Sequence, residues 1–287
     1  MKRKVVIQES FKSLEMFIDT MEKRPLNKAF KGKTIDRLAS QRDETEKEGR
    51  FSGVNTYSEG MEILKKGYKD PLDKMKKSIL KIGQNDNYKR PRIQNDFIGF
   101  APNVPNALMN LPITMINREK QTAKAKTIHL IYSFCASAST KKDDFIKGGI
   151  NFISLVNSLE KQGFRVKIDI IFTSIVTNTA SSFLVTLKEY GQQINLLKLA
   201  FPLVHPAMLR RLAFKWLETT PELKDTSYNN GYGMPLNLLV RDNLEKERNF
   251  LKDHEILKGK NVYYCNVYTA LRANDVNELA SRMEIIK

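Results

Sequence analysis

The strongest constraint on the fold is a strand, a helix and a second strand that follow one another within residues 127–172. Thr127 to Phe134 is a short apolar run rich in β-formers, which is typical of a buried strand. Thr140-Lys-Lys-Asp143 is a capping-box variant and predicts a helix that ends at Gly163. Phe164 to Phe172 alternates apolar and charged residues, which indicates the second strand. These elements predict a βαβ unit with a right-handed crossover.

The rest of the second half continues the alternation of strands and helices. Strands are predicted at Phe183 to Leu187 and at Asn261 to Val267, and helices at Met208 to Leu217 and at Asp275 to Met283. Alternation of this kind favours an α/β fold with a Rossmann-like, three-layer sheet. We assign this α/β domain to residues 127–287.

Residues 1–126 predict a helical or irregular, basic extension that packs on that domain. They carry 27 Lys and Arg against 16 Asp and Glu, a net charge of about +11, whereas the remainder carries about +5. The first predicted helix has Phe11, Leu14, Phe17, Ile18 and Met21 on one face. Two more helices are predicted after the capping box Thr56-Tyr-Ser-Glu59 and after Asp70-Pro71. Lys23 to Gly53 is polar with few apolar anchors, so we expect it to be mobile or to depend on a partner.

The overall charge favours an anionic partner. The chain has 48 Lys and Arg against 32 Asp and Glu, a net charge of +16, which makes nucleic acid the first candidate. The alternative is a Lys-rich composition with no binding role. Predicted phosphate contacts lie at the domain junction and on one predicted helix: Lys89, Arg90, Arg92, Lys120, Lys124 and Lys126, with Arg210 and Arg211. Tyr228 and Tyr232 could stack bases.

Two cysteines are too few for a disulfide framework, and three histidines leave little for a zinc site. We predict no metal and no cofactor, and we expect Cys135 to be a buried thiol, with a nucleophile as the alternative. The charge-free run from Ile98 to Asn117 contains three prolines, so it is not predicted to span a membrane. The apolar piece Val5-Val6-Ile7 is too short for a signal peptide.

The loop after the first strand reads Cys135-Ala-Ser137-Ala-Ser139. With its flanking elements it resembles the opening of a von Willebrand factor A-type domain, whose loop reads Asp-x-Ser-x-Ser. The resemblance implies a Rossmann-like sheet and a divalent-metal adhesion site in which Ser137 and Ser139 match the two serines. Cys135 stands where that family has its aspartate, and a thiol is a poor ligand for Mg²⁺. We predict a degenerate loop without metal; the alternative is rescue by Asp143, Asp144 or Asp169.

Four segments spread over most of the chain resemble an uncharacterised family encoded by tailed bacteriophages and prophages. They are Ser58–Gly67, Gly99–Met109, Gly148–Val166 and Leu203–Leu212. The resemblance implies a viral origin and no established activity. The second segment is apolar, uncharged and rich in turn residues, and we expect it to pack the N-terminal half onto the sheet. The alternative is a ligand-binding loop.

Catalysis is the least favoured function, because no constellation of acid, base and nucleophile is legible and no Walker loop, GxGxxG, HExxH or CxxC motif is present. We predict a non-enzymatic phage protein with a binding or assembly role that associates with nucleic acid. The alternative is a protein-interaction module, either a virion or assembly component or a factor that engages a host or defence protein. We expect it in the host cytoplasm or in the virion.

Overall fold

The computed structural model describes residues 5–27, 30, 38–44, 49–82, 93–118, 126–176, 179–223, 232, 234–236 and 243–285. The strands are β1 (Val5–Phe11), β2 (Ile93–Asp96), β3 (Ala101–Pro102), β4 (Met115–Arg118), β5 (Thr127–Ser133), β6 (Arg165–Val176), β7 (Thr179–Lys188) and β8 (Val262–Asn266). The α-helices are α1 (Leu14–Lys23), α2 (Gly49–Ser52), α3 (Tyr57–Lys66), α4 (Leu72–Ile82), α5 (Val104–Leu108), α6 (Lys142–Lys161), α7 (Leu196–Val204), α8 (Phe214–Thr219), α9 (Leu244–Asp253), α10 (Val267–Arg272) and α11 (Val276–Arg282).

The larger sheet has five strands in the order β1-β7-β6-β5-β8. Strand β5 lies between β6 and β8 and runs parallel to both, while β7 is antiparallel to β6 and β1 is parallel to β7. Strand β5, helix α6 and strand β6 are the predicted βαβ unit. A mostly parallel sheet between helices confirms the predicted Rossmann-like, three-layer α/β fold.

The N-terminal segment contributes strand β1, which forms one edge of this sheet. It pairs in parallel with β7, from Val5 opposite Thr179 to Phe11 opposite Val185. The sheet therefore takes one strand from residues 1–126 and four from residues 127–287, so the predicted boundary at residue 126 does not delimit it. Seven residues are too few for periodicity to identify a strand whose partner lies far along the chain.

The two faces of the sheet are covered unequally. The larger apolar cluster lies on the face that carries Leu130, Tyr132 and Phe183, and it includes residues of α6, α7, α8, α10 and α11. A smaller cluster on the opposite face joins Ile131, Ile171 and Tyr264 to Leu251 of α9 and to Leu236. Helix α6 is the centre of the thicker layer and contacts α4, α7, α10 and α11.

Two adjacent glycines allow α6 to approach its neighbours closely. A Cβ atom on Gly149 would lie 2.3 Å from Val204 Cγ1 and 2.7 Å from the carbonyl oxygen of Leu203. A Cβ on Gly148 would lie 3.0 Å from the carbonyl oxygen of Val267. The helix begins after Lys141, one residue later than predicted, and Asp144 Oδ2 accepts a hydrogen bond from the Lys141 backbone nitrogen at 3.2 Å.

The predicted N-terminal helices are present, but Phe11, which was assigned to the first of them, belongs to strand β1. Local capping explains where the helices begin. Ser13 caps α1 by accepting from the Met16 amide, and Thr56 caps α3 by accepting from the Glu59 amide. Helix α4 follows Pro71 and lies against α6, where Ser78 Oγ is 2.7 Å from Ser154 Oγ. The described part of Lys23–Gly53 is packed, contrary to the prediction: Asn27, Phe30, Leu38, Ser40, Glu44 and Ser52 are buried.

Strands β2, β3 and β4 form a separate small sheet in the order β2-β4-β3, with α5 between β3 and β4. We call residues 93–118 the arm. The Gly99–Met109 segment lies in it and was expected to pack inside the molecule, but Phe100, Val104 and Leu108 are 61%, 56% and 81% exposed. That expectation is wrong because the three strands satisfy one another's backbone hydrogen bonds without burying these side chains.

Candidate functional site

The carboxyl ends of β5 and β6 open into a cleft of about 450 Å³. Ligands of open α/β sheets bind at this edge, because loops diverge there beyond the strand ends. Residues 136–138 after β5 and residues 172–174 of β6 form its floor. Leu209, Arg210 and Phe214 line one side, and Phe51 and Tyr232 reach it from elsewhere in the chain.

The thiol of Cys135 points into the protein and not into this cleft. Cys135 is 1% exposed, and its Sγ accepts a hydrogen bond from the Thr173 amide at 3.2 Å. Burial raises the pKa of the thiol to about 11. A protonated, enclosed thiol is a poor nucleophile.

The two loop serines bind each other. Ser137 Oγ lies 2.8 Å from Ser139 Oγ and 3.1 Å from Thr140 Oγ1, while the Ser137 amide donates to Tyr268 Oη at 2.8 Å. Loop hydrogen bonding therefore accounts for both hydroxyls.

The carboxylates considered for metal rescue do not complete a site with these serines. Asp144 caps α6, and Asp169 Oδ2 lies 2.8 Å from His129 Nε2, so Asp169 is a buried partner of histidine and not a surface charge. Among the described residues no group of three or more His, Cys, Asp or Glu is placed to hold a metal ion. Two hydroxyls and a buried thiol do not match the oxygen donors that Mg²⁺ requires.

Arg210 is buried beneath the loop at residues 137–140 and donates hydrogen bonds to it. It is 2% exposed and lies on a six-residue π-helical turn, Met208–Ala213, a geometry that is frequent at functional sites. Its Nη2 donates to the carbonyl oxygens of Ser137, Ala138 and Thr140 at 3.1, 3.1 and 2.9 Å, and its Nη1 donates to that of Phe51. The guanidinium stacks on the Phe51 ring at 4.2 Å, and burial lowers the pKa of Arg210 to about 10.

Arg211 also donates hydrogen bonds to backbone carbonyl oxygens, in its case those of the N-terminal half of the chain. It is fully buried, and its Nη2 lies 3.3 Å from Glu44 Oε1. It donates to Ser52 Oγ and to four backbone carbonyl oxygens, those of Ser40, Arg42, Val54 and Asn55, at 2.6 to 3.3 Å. These bonds fix residues 40–44 and 52–55 against the helix.

The predicted phosphate contacts therefore separate into three groups. Arg210 and Arg211 were predicted to be exposed and are buried, because backbone carbonyls of distant loops satisfy them; that prediction is wrong. Lys126 is exposed immediately before β5. The other junction residues lie outside the described residues: Lys89, Arg90, Arg92, Lys120 and Lys124.

A buried carboxyl group lies behind Tyr232, outside the lining of the cleft. Glu218 of α8 is fully buried and accepts from the Ser40 amide at 3.1 Å, from Ser40 Oγ and from the hydroxyl of Tyr232. Burial raises the pKa of Glu218, although hydrogen bonds from Ser40 and Tyr232 oppose the shift. Tyr232 stacks on Phe214 with ring centroids 4.5 Å apart.

Two exposed surfaces outside the cleft are candidates for binding a partner. Lys74, Lys76 and Lys77 project from α4 into solvent, and none has an ion-pair partner within the described part of the chain. The arm exposes seven of the large apolar side chains that the described residues leave in water: Phe97, Ile98, Phe100, Val104, Leu108, Met109 and Leu111.

Comparison with known proteins identifies a family but no activity. A family model described as a domain of unknown function (DUF7192) matches residues 2–270, and the chain belongs to this family. No curated protein and no solved structure matches the chain significantly. No helix in the described ranges is long and apolar enough to cross a membrane.

Sequence reasoning identified the Cys135–Ser139 loop and Tyr232 but missed Arg42, Phe51 and Phe214 as members of one cleft. Phe51 and Arg42 lie in the segment whose polar composition indicated a mobile region. No short-range pattern could have placed them at the sheet edge, since Arg210 and Arg211 attract them through backbone carbonyls.

Proposed function

We propose that the protein is a non-enzymatic, phage-encoded assembly component, and that its arm binds another copy of the chain. It acts in the host cytoplasm or in the virion, without a membrane partner. This is the protein-interaction alternative of the sequence analysis, with the partner specified.

The observation that carries the proposal is the apolar surface of the arm. Ile98 is 79% exposed and Leu108 is 81% exposed, and Phe97 and Met109 are each more than 60% exposed. Monomeric proteins seldom leave several large apolar side chains together in water, and such patches mark association sites. Assembly from identical subunits is the commonest way in which soluble proteins cover such surfaces.

Removal of two of these side chains should weaken association strongly. Burial of one Ile or Leu contributes about 1.5–3 kcal/mol, so Ile98→Ser with Leu108→Ser should cost at least about 3 kcal/mol. This corresponds to a roughly 100-fold weaker dissociation constant. Both side chains are exposed in the single chain, so the double variant should fold normally.

The experiment measures mass by light scattering after size exclusion, over a series of protein concentrations. The matched control is Leu80→Ser, since Leu80 is 69% exposed but lies on α4. We expect oligomers for the wild type and for the control, and monomers for the arm variant. A monomeric wild type at every concentration, or oligomers that survive the double substitution, would show the proposal to be wrong.

Nucleic-acid binding is the second candidate, and the lysines of α4 favour it. Three exposed ammonium groups lie within one turn of α4, at Lys74, Lys76 and Lys77, and the predicted junction cluster adds Lys89, Arg90, Arg92, Lys120, Lys124 and Lys126. Three phosphate contacts predict a log–log salt slope of roughly −2.7 on duplex DNA.

Fluorescence anisotropy over a salt series tests this candidate. Lys76→Glu should weaken binding to all sequences alike, whereas Lys252→Glu on α9 makes the same charge change elsewhere and should have a smaller effect. Equal effects of the two substitutions would mean that only net charge matters.

A further inference from the structure

The cleft at the carboxyl edge has the size and composition of a small-molecule site. Its volume of about 450 Å³ lies within the range of ligand pockets, and aromatic rings form part of its walls. Phe51, Phe214 and Tyr232 contribute partly exposed rings, and Ser137 and Thr173 also line the cleft. The proposed assembly function uses the arm and leaves this cleft without a role.

The cleft is electropositive. Two of the described residues that line it are arginines, Arg42 and Arg210, and none of the described lining residues is acidic. Arg210 bonds only to carbonyl oxygens, because the nearby carboxylate of Glu44 pairs with Arg211. Arg210 Nε is also buried without a hydrogen-bond partner in the described structure. A buried cation that makes no ion pair of its own is costly, and an anion placed beside it lowers that cost.

Arg42 supplies the cation that a ligand can reach. Its side chain is half-buried at the cleft, and within the described residues it makes no ion pair. Its backbone carbonyl accepts from Arg211 Nη1 at 2.6 Å, which fixes the main chain and leaves the guanidinium available. A guanidinium binds carboxylate or phosphate oxygens in a bidentate geometry.

We propose that this cleft binds a compact aromatic anion, a planar ring that carries one phosphate or carboxylate. The ring stacks against Phe214 and Phe51, and the anionic group pairs with Arg42 within the field of Arg210. Rings and charge are both required, because apolar contact and a partly desolvated ion pair each supply part of the affinity.

Isothermal titration of the full chain tests this proposal with five probes. Phenyl phosphate, benzoate and adenosine 5′-monophosphate contain both a ring and an anion, and their ranking distinguishes a phosphate, a carboxylate and a nucleotide source. Inorganic phosphate lacks the ring, and phenol lacks the charge. We expect at least one ring-containing anion to bind at least about 10-fold more tightly than either of the last two.

Variants locate the binding. Arg42→Gln should weaken the best probe by at least about 10-fold, and Phe214→Leu should weaken it as well, whereas Lys252→Gln on α9 removes a remote charge and should change nothing. Arg42→Gln keeps the backbone carbonyl that Arg211 uses, so its thermal midpoint should match that of the wild type. Substitution of Arg210 would also loosen the loop, because its guanidinium binds the carbonyl oxygens of Ser137, Ala138 and Thr140.

Several results would overturn the proposal. They are the absence of saturation by any ring-containing anion below about 10 mM, equal binding of inorganic phosphate or phenol, and an Arg42→Gln variant that binds as the wild type does. Each outcome is independent of the oligomeric state, so failure here is distinguishable from failure of the assembly proposal.

Discussion

Replacement of Arg211 by Met should destabilise the protein more than almost any other single substitution of a polar residue. Arg211 is fully buried, pairs with Glu44 at 3.3 Å and donates to four backbone carbonyl oxygens between residues 40 and 55. Met fills most of the same volume, so the cavity contribution is small. The variant therefore isolates the loss of charge and of hydrogen bonds.

The expected loss in the free energy of unfolding follows from the polar groups that stay buried without a partner once Arg211 is replaced. Loss of one partner of a buried ion pair costs about 3–5 kcal/mol, and each unsatisfied buried acceptor adds up to about 1–3 kcal/mol, although these contributions are not additive. We expect about 4 kcal/mol or more for Arg211→Met. At about 2–4 °C per kcal/mol for a chain of this size, the thermal midpoint should fall by roughly 10 °C.

Urea unfolding followed by circular dichroism measures this effect. Glu44→Gln should cost less than Arg211→Met, because the amide still fills the site and the carbonyl partners of Arg211 are kept. The double variant should cost no more than Arg211→Met alone, since Glu44→Gln then removes an unpaired buried carboxylate. A cost below about 1 kcal/mol for Arg211→Met, or a larger cost for Glu44→Gln, would refute this account of the segment.

Three further predictions follow from buried groups. Because burial raises the pKa of Glu218 above 4.5, the folded state holds its proton to higher pH than the unfolded state, and stability should fall as pH rises from about 4.5 through that raised pKa; Glu218→Gln should abolish this dependence in urea titrations at several pH values. Gly149→Ala should lower stability by about 2–4 kcal/mol because of the clash with α7, whereas Gly163→Ala, at a positive φ with free space around it, should cost about 1 kcal/mol; comparable losses would contradict the close approach. Cys135 and Cys265 should resist a thiol reagent at pH 8 in the folded protein and react in urea, because burial raises the pKa of both thiols; rapid reaction of the native protein would place one of them at the surface.

Local sequence patterns were sufficient to predict the βαβ unit of β5, α6 and β6. The apolar run that became β5, the periodicity of α6 and the alternation of β6 each arise within one element, so the sequence identifies them without knowledge of the fold. Caps behaved in the same way: Thr56 and Asp275 lie at helix starts where their side chains accept from the backbone three residues on. These interactions involve only neighbours in the chain.

The cleft could be predicted only in part. Rossmann-like topology places a site beyond β5 and β6, and the Cys135–Ser139 loop lies there as expected. Arg210 and Arg211 were mistaken for surface cations, because helical periodicity gives no information about carbonyl oxygens that arrive from residues 40–55 and 137–140. Burial of a guanidinium is decided by its acceptors, and these are remote in sequence.

The α/β class, the central strand–helix–strand unit and several helix starts could be predicted from the amino-acid sequence, since short-range periodicity and capping encode all three. Tertiary structure alone decided that β1 joins β7, that two arginines are buried and that the apolar segment from Gly99 is exposed. Each of these depends on whether a distant partner supplies hydrogen bonds or apolar cover. Such partners are selected by the free energy of the whole fold and leave no local pattern.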